Sequence, residues 1–373
     1  MAHPRISYPR LDPLRALCFL AVFGSHAYHT MDPAITGHPV WQVPALHVFG
    51  PGFLGVNVFF VLSGFLITHL LIAERALNGR IDVPRFWMRR ILRIWPLYFL
   101  VVGIGLVAVP MAYAALGAPR PGTADPLPFL FFYSNLTKAA GLDAGSSVLT
   151  VLWSIAVEEQ FYLAWPLLLV AVPRRLAALP PALLLLASIL FRIAHPDHGV
   201  RLWHSFACMG DLAMGGLAAA WLDTGRGRVA VSRWGTSTAL LLHAALIGLY
   251  ALAAHLRALP EGDVWHPVLF AAAAAGVVLY QTAGAAGPLQ LPPAGPLAEL
   301  GRISYGLYCL HMIGVLAVVQ VMTMLGLGGR LWHVVLLQPV AALVLTVTLA
   351  QLSYRWLELP FLRLKDRFSY IRR

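Results

Sequence analysis

The feature that most limits the fold of this chain is a repeated pattern of long apolar stretches. Roughly 20 apolar residues in a helix cross a bilayer core, and such stretches occupy residues 14–30, 50–73, 94–116, 149–172, 177–194, 202–222, 235–256, 265–283, 303–325 and 333–353. Of the 373 residues, 12% are charged, against about 25% in a soluble domain. The sequence therefore predicts an all-α bundle of about ten membrane-spanning helices and excludes an ordinary soluble enzyme.

Basic residues between the stretches predict the orientation of the bundle. Short cytoplasmic loops carry an excess of Lys and Arg. In this chain, arginines precede the first apolar stretch and recur in residues 75–93, 174–175, 226–233 and the tail. Residues 30–50, by contrast, contain no Lys or Arg. This alternation predicts an even number of spans with both termini in the cytoplasm. The net charge of +11 is therefore attributed to membrane anchoring, and no nucleic-acid partner is expected.

The rest of the chain predicts a single domain. We expect residues 1–373 to form one transmembrane unit with no appended soluble domain. The short segment from Pro126 to Leu136 is expected to be interfacial or re-entrant. The apolar run that ends in Ser25-His26-Ala27 also resembles a cleavable signal peptide. The first span is nevertheless needed, because without it the basic segments would no longer alternate with the predicted spans.

Ionisable groups inside the apolar stretches are the first candidates for a functional site. Such groups are costly in a membrane and usually face a cavity or a partner. By helix rise, His26, Ser63 and His311 lie roughly 13 to 16 Å, and Glu158 and Glu159 roughly 20 Å, above the cytoplasmic edge. We therefore expect these groups to meet in one buried pocket.

Each of these residues also has a plainer interpretation. His311 can bond a carbonyl of a neighbouring helix, and Ser63 can be a small-residue helix contact. Glu158 and Glu159 point about 100° apart, so we expect one to face the pocket and the other to pair with an Arg or His. His26 with His29 is a poor metal site because no third ligand has suitable spacing. A general base suits His26 better, and no metal is expected.

Three arginines stand at the predicted cytoplasmic mouth of the third span. Arg89 and Arg93 share a helix face, and Arg90 and Arg93 are neighbours at i,i+3. A fork of guanidinium groups suits phosphate recognition. Anchoring to lipid head groups explains most juxtamembrane arginines and remains the alternative.

Motifs along nearly the whole chain resemble the bacterial integral-membrane acyltransferase family 3, whose members O-acylate cell-surface sugars and some secreted small molecules. The matching segments are Leu11–Ala16 with ten residues between Arg15 and His26, Gly55–Ile67, Arg90–Arg93 with Pro96, Trp153–Tyr162, Ser304–Tyr308 with His311, and Ser353–Arg355 with Glu358, Pro360 and Phe361. The departures are local: Asn57 stands where many members carry Asp, and Pro13 where Gly is commoner.

The resemblance implies roles for particular residues. His26 is expected to be the essential catalytic residue, assisted by Glu158 or Glu159. The donor, acyl-coenzyme A and in particular acetyl-coenzyme A, is expected to bind Arg15 and the Arg89, Arg90 and Arg93 cluster. The remaining site residues, expected to bind substrate, are Ser63, Asn57, His311 and Trp153. Many relatives add a soluble esterase-like domain, which this chain is expected to lack.

The predicted function is transfer of an acyl group, in particular acetyl, from acyl-coenzyme A to a hydroxyl of a carbohydrate or glycan, in the bacterial inner membrane. The alternative is a proton-coupled transporter or an acyl or solute exporter that uses the same buried His and Glu residues, although no internal repeat is visible. An intramembrane serine protease is disfavoured, because Val61 rather than Gly precedes Ser63 by two residues. A homo-oligomer is compatible with the sequence.

Overall fold

The computed structural model describes residues 8–115, 117, 122, 124–142 and 144–370, and these residues form helices and connecting segments without a strand. Within these ranges, the helices of 16 residues or more are Leu11–Ala27 (α1), Leu54–Asn78 (α2), Val83–Gly103 (α3), Trp153–Val170 (α4), Leu179–Ala194 (α5), Ser205–Asp223 (α6), Thr236–Ala251 (α7), Gly262–Ala283 (α8), Ser304–Met324 (α9) and Gln338–Ser353 (α10).

Shorter helical segments connect or extend the long ones. The short α-helices are Pro33–Thr36, Pro39–Gln42, Val109–Ala115, Leu127–Leu130, Ser134–Ala139, Ser147–Thr150, His198–Trp203, Gly225–Ser232, Ala253–Arg257, Pro296–Arg302 and Leu359–Lys365. The π-helical segments are Val43–Val48, Ile104–Ala108, His333–Leu337 and Tyr354–Glu358, and the 3₁₀ turns are Gly50–Phe53, Arg174–Leu176 and Asp366–Phe368.

Each predicted apolar stretch coincides with one long helix, which confirms the all-α class. The predicted number of spans is not confirmed. In the described ranges, seven helices are long and apolar enough to cross a membrane, or eight if the bent pair Gly225–Ser232 and Thr236–Ala251 counts as one span. The two helices outside that group are α1, which has only 17 residues, and α4, whose 18 residues include Glu158, Glu159 and Gln160.

The outward faces of the bundle are apolar, as lipid contact requires. On α5, Leu183, Leu186 and Leu190 are each more than half exposed, and Leu241 on α7 is 72% exposed. Soluble monomers rarely expose apolar patches of this extent. Together with the candidate spans, this surface identifies a multi-pass membrane protein.

The segment Pro126–Leu136 forms parts of two short helices rather than a span. Between them Phe132 has a positive φ of 55°, and its ring packs 4.6 Å from the ring of Tyr98 on α3 and 5.8 Å from that of Trp95. The segment is thus fixed against the bundle by aromatic contacts.

Glycines bring α2 and α6 into close backbone contact at the centre of the bundle. A Cβ on Gly64 would collide with the carbonyl of Leu212, and a Cβ on Gly215 would collide with the carbonyl of Val61. Small residues that let helix backbones approach are the usual basis of association in a membrane. This contact fixes the position of Ser63, which precedes one of the two glycines.

We expect Gly64→Ala and Gly215→Ala to destabilise the protein, because each new methyl group meets backbone that has to move. Overpacking of this kind costs roughly 1 to 3 kcal/mol, which thermal unfolding in detergent would detect. The control is Gly248→Ala on α7, where no atom lies within 4 Å of the new methyl. Equal melting temperatures for Gly215→Ala and Gly248→Ala would contradict the close contact.

Candidate functional site

His26 and His311 meet inside the bundle. His26 lies in the last turn of α1, and its Nδ1 is 3.0 Å from the carbonyl oxygen of Val22. Nε2 of His311, on α9, lies 3.3 Å from the same Nδ1, and Nδ1 of His311 lies 2.6 Å from the carbonyl oxygen of Tyr308. His311 is fully buried.

These contacts favour one tautomer for each ring. A carbonyl oxygen only accepts, so Nδ1 of His311 carries the hydrogen that bonds Tyr308, and Nε2 of His311 is then an acceptor. Nδ1–H of His26 donates to Val22, with Nε2 of His311 as a second acceptor nearby. Nε2 of His26 is therefore the unprotonated nitrogen, which is the state required of a general base.

His26 lies on the walls of two cavities at the same end of the bundle. The first, called here the His26 cavity, has a volume of about 320 Å³ and is also lined by Asn57, Lys138 and Trp153. The second, of about 390 Å³, is lined by residues of the loop after α1, including Tyr28 and Trp41. The imidazole thus lies where a substrate entering from this end would reach it.

Glu158 lies in a different place, which we call the Glu158 cavity. This space of about 130 Å³ is lined by Glu158, Ser63, Arg90 and Arg93 among others. The hydroxyls of Ser63 and Tyr162 are 2.5 Å apart, and both lie close enough to the Glu158 carboxylate to interact with it. Glu158 is therefore held by two hydroxyl groups and lies beside two guanidinium groups.

Glu159 faces away from this cavity. Its Oε2 accepts a hydrogen bond of 2.9 Å from the indole nitrogen of Trp95, while its Oε1 is buried and has no hydrogen-bond partner in the structure. The expectation that one glutamate faces a pocket agrees with this arrangement. The expected Arg or His partner for the other is replaced by a tryptophan.

The single pocket expected from the sequence is divided in two. Val56, Phe60 and Tyr308 line both the His26 cavity and the Glu158 cavity, so one layer of side chains separates them. The hydrogen-bond partners that the structure gives His26 are Val22 and His311, and neither glutamate is among them. Helix rise predicted the depths of these groups but carries no information on which helix faces meet.

Arg15 and Arg93 lie between the Glu158 cavity and a larger basic cavity. That space, the arginine cavity, has a volume of about 390 Å³, and Arg15, Arg93, Arg302, Arg363 and Lys365 line it. Arg15 also forms an ion pair with Asp12. Arg90 faces the Glu158 cavity, and its Nε is buried without a hydrogen-bond partner in the structure. Five basic residues therefore outnumber two acidic ones, Asp12 and Asp366, at this entrance to the bundle.

Arg89 does not join this cluster, in contrast to the expectation from helix spacing. Its guanidinium forms an ion pair of 2.7 Å with Glu74 and donates to the carbonyl of Phe368 at 2.9 Å. The side chain turns towards α2 because the buried Glu74 carboxylate needs a cation there. Arg90 and Arg93 thus line the Glu158 cavity together, whereas Arg89 shares a smaller space of about 40 Å³ with Arg90 and Glu74.

Asn57 and Trp153 both line the His26 cavity, whereas Ser63 lines the Glu158 cavity. Nδ2 of Asn57 donates to Asp211 on α6 at 2.6 Å. His311 lies behind His26 and lines none of the cavities described above, so its position suits orienting the imidazole rather than touching a substrate.

Sequence analysis missed four basic residues of the His26 cavity: Lys138, Arg192, Arg201 and Arg257. Three of them, Lys138, Arg201 and Arg257, are single basic residues outside the arginine-rich segments predicted to be cytoplasmic, and that exception to the predicted charge alternation was the available signal. Within the described part of the chain, no group of three or more His, Cys, Asp or Glu is placed to bind a metal ion.

We expect the Arg89–Glu74 pair to stabilise the fold. Glu74 is 4% and Arg89 11% exposed, and removing one partner of a buried pair costs roughly 3 to 5 kcal/mol. Glu74→Ala is therefore expected to lower the melting temperature strongly.

The control for this variant is Asp223→Ala, which breaks the Arg174–Asp223 pair, whose arginine is half exposed. A change below about 1 kcal/mol is expected for such a surface pair. Similar melting temperatures for the two variants would contradict a structural role for Arg89.

Comparison with known proteins supports a single family. A sequence model of the family described as "Acyltransferase domain" matches residues 8–355. A Bacillus subtilis (strain 168) protein named "Putative peptidoglycan O-acetyltransferase YrhL" is 30% identical over 389 aligned positions, which cover 98% of this chain and 56% of that protein.

Two further relatives match a smaller part. The peptidoglycan O-acetyltransferase OatA of Listeria monocytogenes is 32% identical over 42% of this chain and 23% of its own length. The O-acetyltransferase OatA of Staphylococcus aureus (strain NCTC 8325 / PS 47) is 34% identical over 43% of this chain and 24% of its own. The chain thus spans about half or less of the length of these relatives. No solved structure matches it significantly.

The family match extends across the buried histidines, both glutamates and the arginine cluster, and it confirms the resemblance seen in the motifs. The chain belongs to the acyltransferase family that this description names.

Proposed function

We propose that this protein is an O-acetyltransferase of the bacterial cytoplasmic membrane, which transfers acetyl from acetyl-coenzyme A to a hydroxyl of peptidoglycan. The observation that carries the proposal is the position of His26. Its Nδ1 contacts the carbonyl of Val22 and Nε2 of His311, and its ring lies on the wall of a cavity large enough for part of a sugar. The named relatives support the acetyl group and the peptidoglycan acceptor.

In the proposed reaction, the acceptor hydroxyl loses its proton to Nε2 of His26 as its oxygen attacks the thioester carbonyl. The carbon–sulfur bond then breaks, and the coenzyme A thiolate takes the proton back from the imidazolium. An acetyl ester and free coenzyme A are the products, so the enzyme returns to its starting state. The carbonyl of Val22 and Nε2 of His311 accept from Nδ1–H of His26 and so fix the tautomer whose Nε2 can take the proton.

The donor is proposed to enter from the cytoplasmic end. Its phosphates would bind Arg15, Arg90 and Arg93, since charge-assisted bonds to guanidinium groups are the strong ones for phosphate. The arginine cavity and the Glu158 cavity share Arg15 and Arg93, and the layer of Val56, Phe60 and Tyr308 follows. The pantetheine arm has to pass this layer to bring the thioester to His26.

We expect His26→Ala to abolish acetyl transfer while the protein level and melting temperature stay near those of the wild type, because a general base acts in the transition state. The measurement is release of coenzyme A in proteoliposomes on addition of glycan acceptor. His255→Ala, at an exposed position, is the control. Activity of His26→Ala above about a tenth of wild type would remove this residue from the mechanism. Transport of the acceptor without release of coenzyme A would favour the transporter alternative.

We expect Arg90→Ala and Arg93→Ala to raise the KM for acetyl-coenzyme A by roughly 10- to 100-fold, as the loss of a charge-assisted bond implies, with little change in the KM for the acceptor. Arg226→Ala, which removes an exposed arginine from the short helix Gly225–Ser232, is the control. A donor KM that is the same in all three variants would return Arg90 and Arg93 to a lipid-anchoring role.

A further inference from the structure

The His26 cavity carries an excess of positive charge at the end of the bundle opposite to the arginine cavity. Among the described residues that line it, four are cationic, Lys138, Arg192, Arg201 and Arg257, and none is acidic. A neutral sugar does not require a positively charged surface. Buried positive charge is also costly to the protein unless it is paired with negative charge.

Two of the four cations have carboxylate partners behind the cavity wall. Nε of Arg257 bonds Asp263 at 2.7 Å, and Arg192 interacts electrostatically with Asp211, which also accepts from Asn57. These carboxylates offset the charges of Arg257 and Arg192.

Lys138 and Arg201 are left with a net positive charge. Nε of Arg201 donates to the backbone carbonyls of Arg192 and His195 at 2.8 and 2.9 Å, which do not cancel its charge. The described part of the chain contains no ion pair to either residue. The cationic end of Lys138 lies 4.9 Å from the ring of Trp203 and 5.8 Å from that of Trp153.

The position of Lys138 relates this charge to the reaction. It lies close enough to His26 for the two to interact electrostatically, and both line the same cavity. Burial lowers the pKa of the Lys138 ammonium to about 8, so near pH 7 it is still protonated and gains stability from an anion placed beside it.

We propose that the His26 cavity binds an acceptor with an anionic group, a carboxylate or a phosphate, close to the hydroxyl that is acetylated, and that Lys138 and Arg201 hold this anion. The inference rests on the proposed function for the identity of the reaction, but the anion site itself does not depend on it. A sugar held at its anion by Lys138 presents a neighbouring hydroxyl to Nε2 of His26.

The test is binding of small sugars to the full-length protein in nanodiscs, measured by isothermal titration calorimetry in the absence of donor. The probes are the disaccharide of N-acetylglucosamine and N-acetylmuramic acid, which carries a carboxylate, N-acetylglucosamine 1-phosphate, and the neutral disaccharide of N-acetylglucosamine. The variants are Lys138→Gln and Lys138→Arg, with Arg330→Gln as a control at an exposed position.

We expect the charged sugars to bind more tightly than the neutral one, and Lys138→Gln to weaken only the charged ones, by roughly 10- to 100-fold. Lys138→Arg should restore most of this difference, and Arg330→Gln should change nothing. Tighter binding of the carboxylate sugar would identify a glycan carboxylate as the ligand, and tighter binding of the phosphate sugar would identify a phosphorylated or lipid-linked sugar.

Equal affinity for charged and neutral sugars, or equal losses for both in Lys138→Gln, would overturn the anion site. A raised KM for acetyl-coenzyme A in Lys138→Gln, with unchanged sugar binding, would assign Lys138 to donor binding and would also overturn the anion site. Binding of charged sugars without release of coenzyme A would support the anion site while contradicting the proposed acetyl transfer, so the two failures are distinguishable.

Discussion

A polar group in the interior of this bundle has no water to bond, so its partner has to come from the protein. This constraint explains several hydrogen bonds between distant parts of the chain. Asn57 bonds Asp211, Trp95 bonds Glu159, and His311 meets His26. Each of these contacts joins two long helices, and each is specific because an unpaired group would be costly there.

The same constraint separates structural from functional groups. Arg89 resembles its neighbours in sequence, yet it is neutralised by Glu74, whereas Arg90 and Arg93 face a cavity. His311 is buried and fully occupied, whereas His26 lines two cavities. Other polar residues line cavities and lack a full set of hydrogen-bond or ion-pair partners. They follow one another along the bundle, from the arginine cavity through the Glu158 cavity to the His26 cavity. That order is the basis for proposing that the donor and the acceptor reach His26 from opposite ends of the bundle.

The positions of the long helices were predictable because a membrane helix needs a long apolar run, and that run is visible in one sequence. The number of membrane spans was harder to predict than the positions of the helices. Both α1 and α4 are helical as expected, but α1 is short and α4 contains polar residues, so neither belongs to the candidate spans. The motifs predicted His26, Arg90 and Arg93 as site residues, and each of them lines a cavity. Pairings such as His26–His311 and Arg89–Glu74 were not predictable, since spacing along a helix does not specify which neighbouring helix a side chain meets. The basic residues of the His26 cavity were missed because they come from four different helical segments of the chain.

The central claim is that donor and acceptor reach His26 from opposite ends of the bundle. The direct test uses sealed vesicles of known orientation, with acetyl-coenzyme A confined to the side of the arginine cavity and an impermeant glycan acceptor supplied on either side. The account predicts acetylated glycan when the acceptor is on the side opposite to the donor, and loss of that product in His26→Ala. Product formed only when both substrates share the arginine side would contradict the account.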